Sequence, residues 1–311
     1  MKAVVFAYHD VGCMGVRVLK RLGVEVARVY THDDDPGENH WFGSVRKTCS
    51  ELGVACTTAD PHLPAEMDAI RGAAPDAIFS LYYRNMIKDP VLAIPRHGAV
   101  NLHGSFLPRY RGRAPVNWML LHGETQGGVT LHYMVRKPDA GDIVDQESFP
   151  IGPDDTGVDV YGKMLPAAER VLVRSAPLVL AGTAPRILQM ESKATYFGRR
   201  RPEDGLIEWR WCAEDVRNLV RAVTRPYPGA YTFANGKKVM VWRVSHVRPF
   251  VDVPDRPVAT GVGRLIRSND ALVTCGDGRR LRLDLVEVDG REGDGMDFPD
   301  VLRAGLILGG T

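Results

Sequence analysis

"KAVVFAYHDVGCMGVRVLKRLGVEVARVYT", residues 2–31, reads as a strand, a helix and a second strand. The flanking runs, "KAVVFAY" and "VEVARVYT", are β-branched and apolar, and "GCMGVRVLKRLG" between them has a helical pattern. The same alternation continues through the first half. "GSVRKTCSELG" leads to "VACTTAD", "AEMDAIRGAA" leads to "DAIFSLYY", and "GAVNLHG" follows. Repeated β-α-β units predict a Rossmann-like α/β fold: a largely parallel sheet with helices on both faces. Further strands are expected at "GGVTLHYMV" and "DIVDQESFPI". A long helix is expected at "DVYGKMLPAAERVLVRSAPLVLAG", kinked or delimited by Pro166 and Pro177.

The texture changes near residue 200. "ESKATYFGRRRPEDG" is polar and reads as a crossing linker, and "AEDVRNLVRAVT" as a short helix. Two hairpins are expected beyond it, turning at Asn235-Gly236 and near Asp277-Gly278, where positive φ angles suit tight turns. The expectation is a catalytic domain over residues 1–200 and a small C-terminal β-barrel, OB-like, over residues 201–311.

At 311 residues the chain can build one large or two ordinary domains. A net charge of +2 is too mild to point to nucleic acid as a partner. Five cysteines without a C-x-x-C pair argue against a disulfide or zinc framework, so no metal is expected and a reduced, cytoplasmic setting is. The apolar start is too short for a secretory signal, and no run of 18 apolar residues exists to span a membrane.

The polar groups that stand out follow "GAV" at residues 98–100: Asn101, His103, Ser105, Arg109, Arg111 and Arg113. In an open α/β sheet, ligands bind beyond the carboxyl ends of the strands. Asn101 and His103 share one side of an extended segment, and an amide and an imidazole there can both donate to an oxygen gaining negative charge. Asp139, in "MVRKPDAGD", could hold that imidazole as imidazolium and accept a proton. Each residue also has a plain structural explanation: a capping Asn, a satisfied His, a turn Asp. Ser105 lacks a G-x-S-x-G elbow and reads as a turn residue. Gly12 and Gly15 lack the G-x-G-x-x-G spacing and read as close-packing glycines, while His9 and Asp10 could reach a ligand or, for Asp10, cap the helix.

"NLHGSFLPRYRGRAPVNWMLLHGE" followed by "GVTLHYMVRKPDAGDIV" resembles the 10-formyltetrahydrofolate-dependent formyltransferases, a family that includes the glycinamide ribonucleotide and methionyl-tRNA enzymes. The resemblance implies that Asn101, His103 and Asp139 are catalytic. A neutral amine would attack the formyl carbon, Asn101 and His103 would stabilise the oxyanion, His103 would protonate the departing folate nitrogen, and Asp139 would support His103 and help take the amine's proton. It also implies folate contacts from Asn85, Met86, Ile87 and Arg113 and from Val135, Arg136, Lys137, Pro138 and Asp139. Arg109 and Arg111 would face folate glutamate or sugar-nucleotide phosphates, or simply solvent.

Within the family, "VVFAYHDVGCMG", "THDDDPGE", "FSLYYRNMIKD" and "ATYFGRRRPEDGLIEW" look most similar to the formyltransferase domain of the bifunctional UDP-4-amino-4-deoxy-L-arabinose formyltransferase/UDP-glucuronate decarboxylase of lipid A modification and polymyxin resistance. The implied acceptor is that amino-sugar nucleotide, and a decarboxylase, on a separate chain or in a missing domain, would be a functional partner. Alternatives are another amino-sugar nucleotide, methionyl-tRNA, a nicotinamide-dependent reductase, or a non-catalytic binding module. Against tRNA stand the acidic run Asp33, Asp34 and Asp35 and the absence of a basic insertion there. Arg199, Arg200 and Arg201 form the one local basic cluster, a solvated linker or a phosphate contact.

Overall fold

The structure is a computed structural model that describes residues 1–34, 37, 39–247, 263–267, 270–303 and 305–309. Asp35, part of the acidic run, lies outside the described residues. The chain divides into two compact units, the first made of Met1–Pro115, Gln126–Ile151 and Tyr161–Gly198, the second of Val116–Thr125, Gly152–Val160 and Arg199–Thr311.

The opening stretch forms β1 (Lys2–Ala7), α1 (His9–Arg21) and β2 (Glu25–Tyr30), as its pattern predicts. Five of the six β1 residues are buried, which is why the run shows no alternation. Gly12 and Gly15 let α1 lie close on the sheet. A Cβ on Gly15 would stand 2.2 Å from Leu81 Cδ1, and one on Gly12 would stand 3.0 Å from Ala7 Cβ. The chain continues through α2 (Val45–Glu51), β3 (Cys56–Thr57), α3 (Pro64–Ala73), β4 (Ala77–Leu81), α4 (Asp89–Leu92) and β5 (Ala99–His103). After β6 (Arg111–Gly112) and α5 (Pro115–Leu121) come β7 (Gln126–Tyr133) and β8 (Ile143–Pro150).

The seven-stranded sheet has the order β3-β2-β1-β4-β5-β7-β8. β3, β2, β1, β4 and β5 pair in parallel, while β7 runs antiparallel to β5 and β8 antiparallel to β7. This is the expected Rossmann-like sheet with an antiparallel edge. Chain order reverses between β1 and β4, so their carboxyl ends open a crevice of the kind that receives ligands. The long helix, α6 (Gly157–Leu180), runs through Pro166 and Pro177 and is not delimited by either. Its buried stripe, which includes Met164, Ala168, Val171, Leu172 and Val179, holds it in place. Packing of that extent outweighs about 3 kcal/mol per interior proline. β9 (Tyr196–Phe197) then pairs with β6.

In the second unit, α7 (Ala213–Val223) buries Val216, Leu219, Val220 and Val223. β10 (Ala230–Ala234) and β11 (Lys237–His246) form the Asn235-Gly236 hairpin, with φ of 49° and 73° at the two turn residues. β12 (Leu265–Arg267), β13 (Ala271–Thr274), β14 (Arg280–Val288) and β15 (Arg291–Gly293) complete an antiparallel sheet of order β10-β11-β14-β13-β12, with β15 on β14. The outer edge of β12 is covered: Leu265 N donates to Leu306 O at 2.8 Å and Gly305 N to Leu265 O at 2.7 Å. Gly309 N reaches Phe233 O of β10 at 3.1 Å, so the strip 305–309 links the two ends of this half-barrel. Among the described residues no helix is long and apolar enough to cross a membrane.

Phe79 sits on β4 in the middle of the parallel sheet with no exposed surface. Phe79→Ala should destabilise the protein by about 3–5 kcal/mol, read as a lower urea midpoint. An unchanged midpoint would contradict this placement of the core.

Candidate active site

β5 sets the geometry. Asn101 and His103 are two residues apart and therefore project to the same face of the sheet. Across the antiparallel seam, Asn101 stands opposite His132 and His103 opposite Thr130. The β7–β8 loop folds back so that Asp139 Oδ1 lies 3.5 Å from Asn101 Nδ2 and from His132 Nε2, and 3.7 Å from His103 Nδ1. The structure thus brings together the three residues that the sequence singles out. It adds His132, which sequence reasoning missed. The available signal was its place in β7, once β5 and β7 are paired.

Hydrogen bonding fixes how these groups present themselves. His132 Nδ1 is 2.8 Å from the Tyr133 carbonyl, so it carries the hydrogen and Nε2 accepts from Asn101 Nδ2 at 3.2 Å. His103 Nε2 donates to the Tyr110 carbonyl at 2.8 Å, which leaves Nδ1 facing Asp139. Asp139 Oδ2 accepts from Gly112 N at 2.8 Å. That approach needs glycine at 112. Its φ is 98°, and a Cβ there would lie 2.2 Å from the Phe197 carbonyl oxygen.

The Asp139 side chain is only 13% exposed. Burial opposes its ionisation, but attraction to the His103 and His132 imidazoles and the Gly112 N–H together outweigh burial. They hold the carboxyl far below the usual carboxylate range. Asp139 is therefore an ion at neutral pH, walled in by donors.

Other residues singled out by the sequence have different surroundings. Arg111 is fully buried. Its guanidinium bonds Gln189 Oε1 at 3.1 and 2.8 Å, Glu191 at 2.8 Å and the Tyr196 hydroxyl. A buried, paired arginine of this kind is not aimed at a phosphate. Arg109 is exposed beside the Tyr110 ring, and Ser105 Oγ donates to the Arg109 carbonyl at 2.7 Å, as a turn residue would. His9 is buried, stacked on Phe42 and 2.5 Å from the Tyr161 hydroxyl. Burial, then the nearby Arg84 charge, push its pKa down to about 3, so it stays neutral. Asp10 accepts from Gly43 N at 2.7 Å and so fastens the neighbouring loop.

The expected folate contacts fall in two loops joined by the β6 segment. Asn85 and Met86 are exposed after β4, but Ile87 is 2% exposed and packs in the core, leaving its backbone as the part that can line a ligand. Arg113 Nη2 reaches the Arg84 carbonyl at 3.1 Å, which ties β6 to that loop. On the other side Val135, Arg136, Lys137 and Pro138 are exposed, and Lys137 pairs with Glu191. In the acidic run, Asp33 pairs with Arg46 at 2.6 Å and Asp34 accepts from the Tyr8 hydroxyl at 3.3 Å. The arginine run in the second unit is a structured turn. Arg201 N donates to Asp204 Oδ2, and Arg200 lies over the Trp118 ring and bonds the Asp204 carbonyl.

Because the folded-state pKa of Asp139 is depressed, its stabilising contribution is present above the unfolded carboxyl value of about 4 and is lost as pH falls through that value and below. Wild type should therefore lose stability on acidification from about pH 5 to pH 2 more steeply than Asp139→Asn, as read by urea midpoints across that range. Parallel acid limbs would contradict the ionised, donor-held state of this carboxyl.

Residues 16–176 match the formyl transferase family, and residues 200–303 match the formyl transferase C-terminal domain. Among solved structures, the chain is similar to WlaRD, a sugar 3N-formyl transferase in the presence of dTDP and 5-N-formyl-THF. The TM-score is 0.69 at 18% identity, over 94% of this chain and 98% of that one. An N-formyltransferase from Helicobacter canadensis, in complex with folinic acid and dTDP-3-aminofucose, gives a TM-score of 0.67 at 18% identity, over 91% and 98%. Methionyl-tRNA formyltransferase from Clostridium thermocellum gives 0.54 at 15% identity, over 80% and 95%. At such identities the structural likeness establishes the fold and leaves the acceptor open. The first family match alone spans more than half of the 311 residues, so the chain belongs to the formyl transferase family.

Proposed function

We propose that this enzyme transfers a formyl group from 10-formyltetrahydrofolate to the primary amine of an amino-sugar nucleotide, with UDP-4-amino-4-deoxy-L-arabinose as the leading acceptor. The observation that carries the reading is the convergence of Asn101, His103 and Asp139 on one face of a family fold. The donor supplies an electrophilic formyl carbon when bound. The loops beside the cluster fit a folate: Met86 and Val135 expose apolar side chains, and the Asn85–Ile87 segment offers backbone groups at its edge.

The remaining steps belong to side chains of this chain. Asn101 Nδ2 holds His132 at 3.2 Å and Asp139 at 3.5 Å, so the hydrogen in the longer contact is the one to redirect toward a developing oxyanion. His103 spends Nε2 on the Tyr110 carbonyl, which makes Nδ1 the nitrogen that moves a proton. Asp139, held as an anion beside it, steadies the imidazolium while Nδ1 takes the proton lost by the amine and passes it to the departing folate nitrogen. A carboxyl held so far below its usual range is too weak a base to take that proton itself.

A sugar nucleotide is favoured over tRNA by charge. The net charge is +2, and the segment 31–44 that carries Asp33 and Asp34 contains no lysine or arginine to attract a polyanion. WlaRD and the Helicobacter canadensis enzyme, each solved with a formyl folate and a dTDP species, support the sugar-nucleotide class. The resemblance of residues 4–15, 31–38, 79–89 and 194–209 to the arabinose enzyme supports the UDP sugar within it.

The acceptor is tested by incubating the protein and 10-formyltetrahydrofolate with UDP-4-amino-4-deoxy-L-arabinose, a dTDP-3-amino sugar and methionyl-tRNA, then weighing the products. A formylated amino-sugar nucleotide is expected. Preferential tRNA formylation would sink the acceptor assignment. His103→Ala should lower turnover by roughly 100-fold or more while the variant stays folded. Near-normal turnover in a folded variant would refute the proton-transfer role of His103.

A further inference from the structure

We propose that Gln189, gripped by Arg111, is a positioning residue that sets the backbone of Asp139 for catalysis. The inference rests on the catalytic reading of Asp139. Between residues 185 and 193, Gln189 is the one residue not exposed. Its Nε2 donates to the Asp139 carbonyl at 2.8 Å and the Gly141 carbonyl at 2.7 Å, spending both amide hydrogens. Its Oε1 accepts from Arg111 Nε at 3.1 Å and Nη2 at 2.8 Å. This arrangement fixes the amide's orientation. A flip would set its oxygen against two carbonyls and its NH2 against a guanidinium.

Asp139 needs such a grip. Its φ is 54°, in the left-handed region that L side chains enter only at a cost. Two residues on, a Cβ at Gly141 would lie 1.9 Å from the Tyr133 carbonyl oxygen, so the loop passes too close to β7 to shift inward. Arg111 and its neighbour Gly112 act together. Gly112 N holds the Asp139 carboxylate directly, and Arg111 holds the Asp139 carbonyl through Gln189. One short strand thereby fixes both ends of the residue. A lysine at 111 would offer a point charge and no fork for Oε1.

Gln189→Glu separates positioning from anchoring. The carboxylate keeps the contact with Arg111 but turns oxygen toward the carbonyls of Asp139 and Gly141. The crystal structure of Gln189→Glu should show Arg111 in place and the Asp139 carboxylate withdrawn from His103. With 10-formyltetrahydrofolate and whichever acceptor of the panel above is formylated, kcat should fall at least tenfold while KM for both substrates changes less than threefold. In an Asp139→Asn background the same substitution should produce no further loss, since both changes act through one group. An unmoved Asp139 in the variant crystal, or fully additive losses, would overturn the proposal. If Asp139→Asn abolishes turnover and Gln189→Glu leaves kcat intact, the positioning role alone fails. If Asp139→Asn itself turns over normally, the catalytic reading beneath it fails.

Discussion

An anion buried beneath a loop governs this site. A carboxylate removed from water carries a penalty of several kcal/mol unless donors replace its hydration, and the surroundings of Asp139 meet that demand. Gly112 supplies a backbone N–H, Asn101 an amide, and His103 a polar imidazole. The demand propagates outward. The Gly112 N–H points correctly because β6 is pinned to β9, and β6 is pinned because Arg111 is buried among Gln189, Glu191 and Tyr196.

The sheet gives those donors a common focus. β5 has a parallel neighbour on one side and an antiparallel neighbour on the other. The antiparallel side places His132 and Thr130 directly opposite Asn101 and His103. Thr130 then serves the following loop, donating to the Ser105 carbonyl at 2.7 Å and accepting from Leu107 N at 3.1 Å. The residues around Asn101 and His103 are thus locked by the ladder that builds the sheet.

Much of this was legible in the chain itself. Apolar runs alternating with helical patterns announce the Rossmann-like sheet, and Asn-Gly and Asp-Gly announce the C-terminal hairpins, because each signal is local. Asn101 and His103 show their shared face through period two. What stayed hidden depends on partners far along the chain. His132 acquires its role only through the β5–β7 register. Arg111, in a loop rich in arginines, reads as a phosphate or solvent contact, and only the segment 189–196 folding over it makes it interior. Ile87 looks like ligand lining beside Met86 until the core claims its side chain. The prolines of α6 look like breaks because their local cost is plain and the tertiary packing that offsets it is not.

The register of β5 also makes the site an all-or-none reading frame. Asn101 and His103 alternate with Val100 and Leu102, both buried in the sheet. A strand displaced by one residue exchanges those two sets, turning both donors away from Asp139 and two aliphatic groups toward it. Insertions and deletions within residues 99–103 therefore cannot be graded in effect, whereas point changes there can.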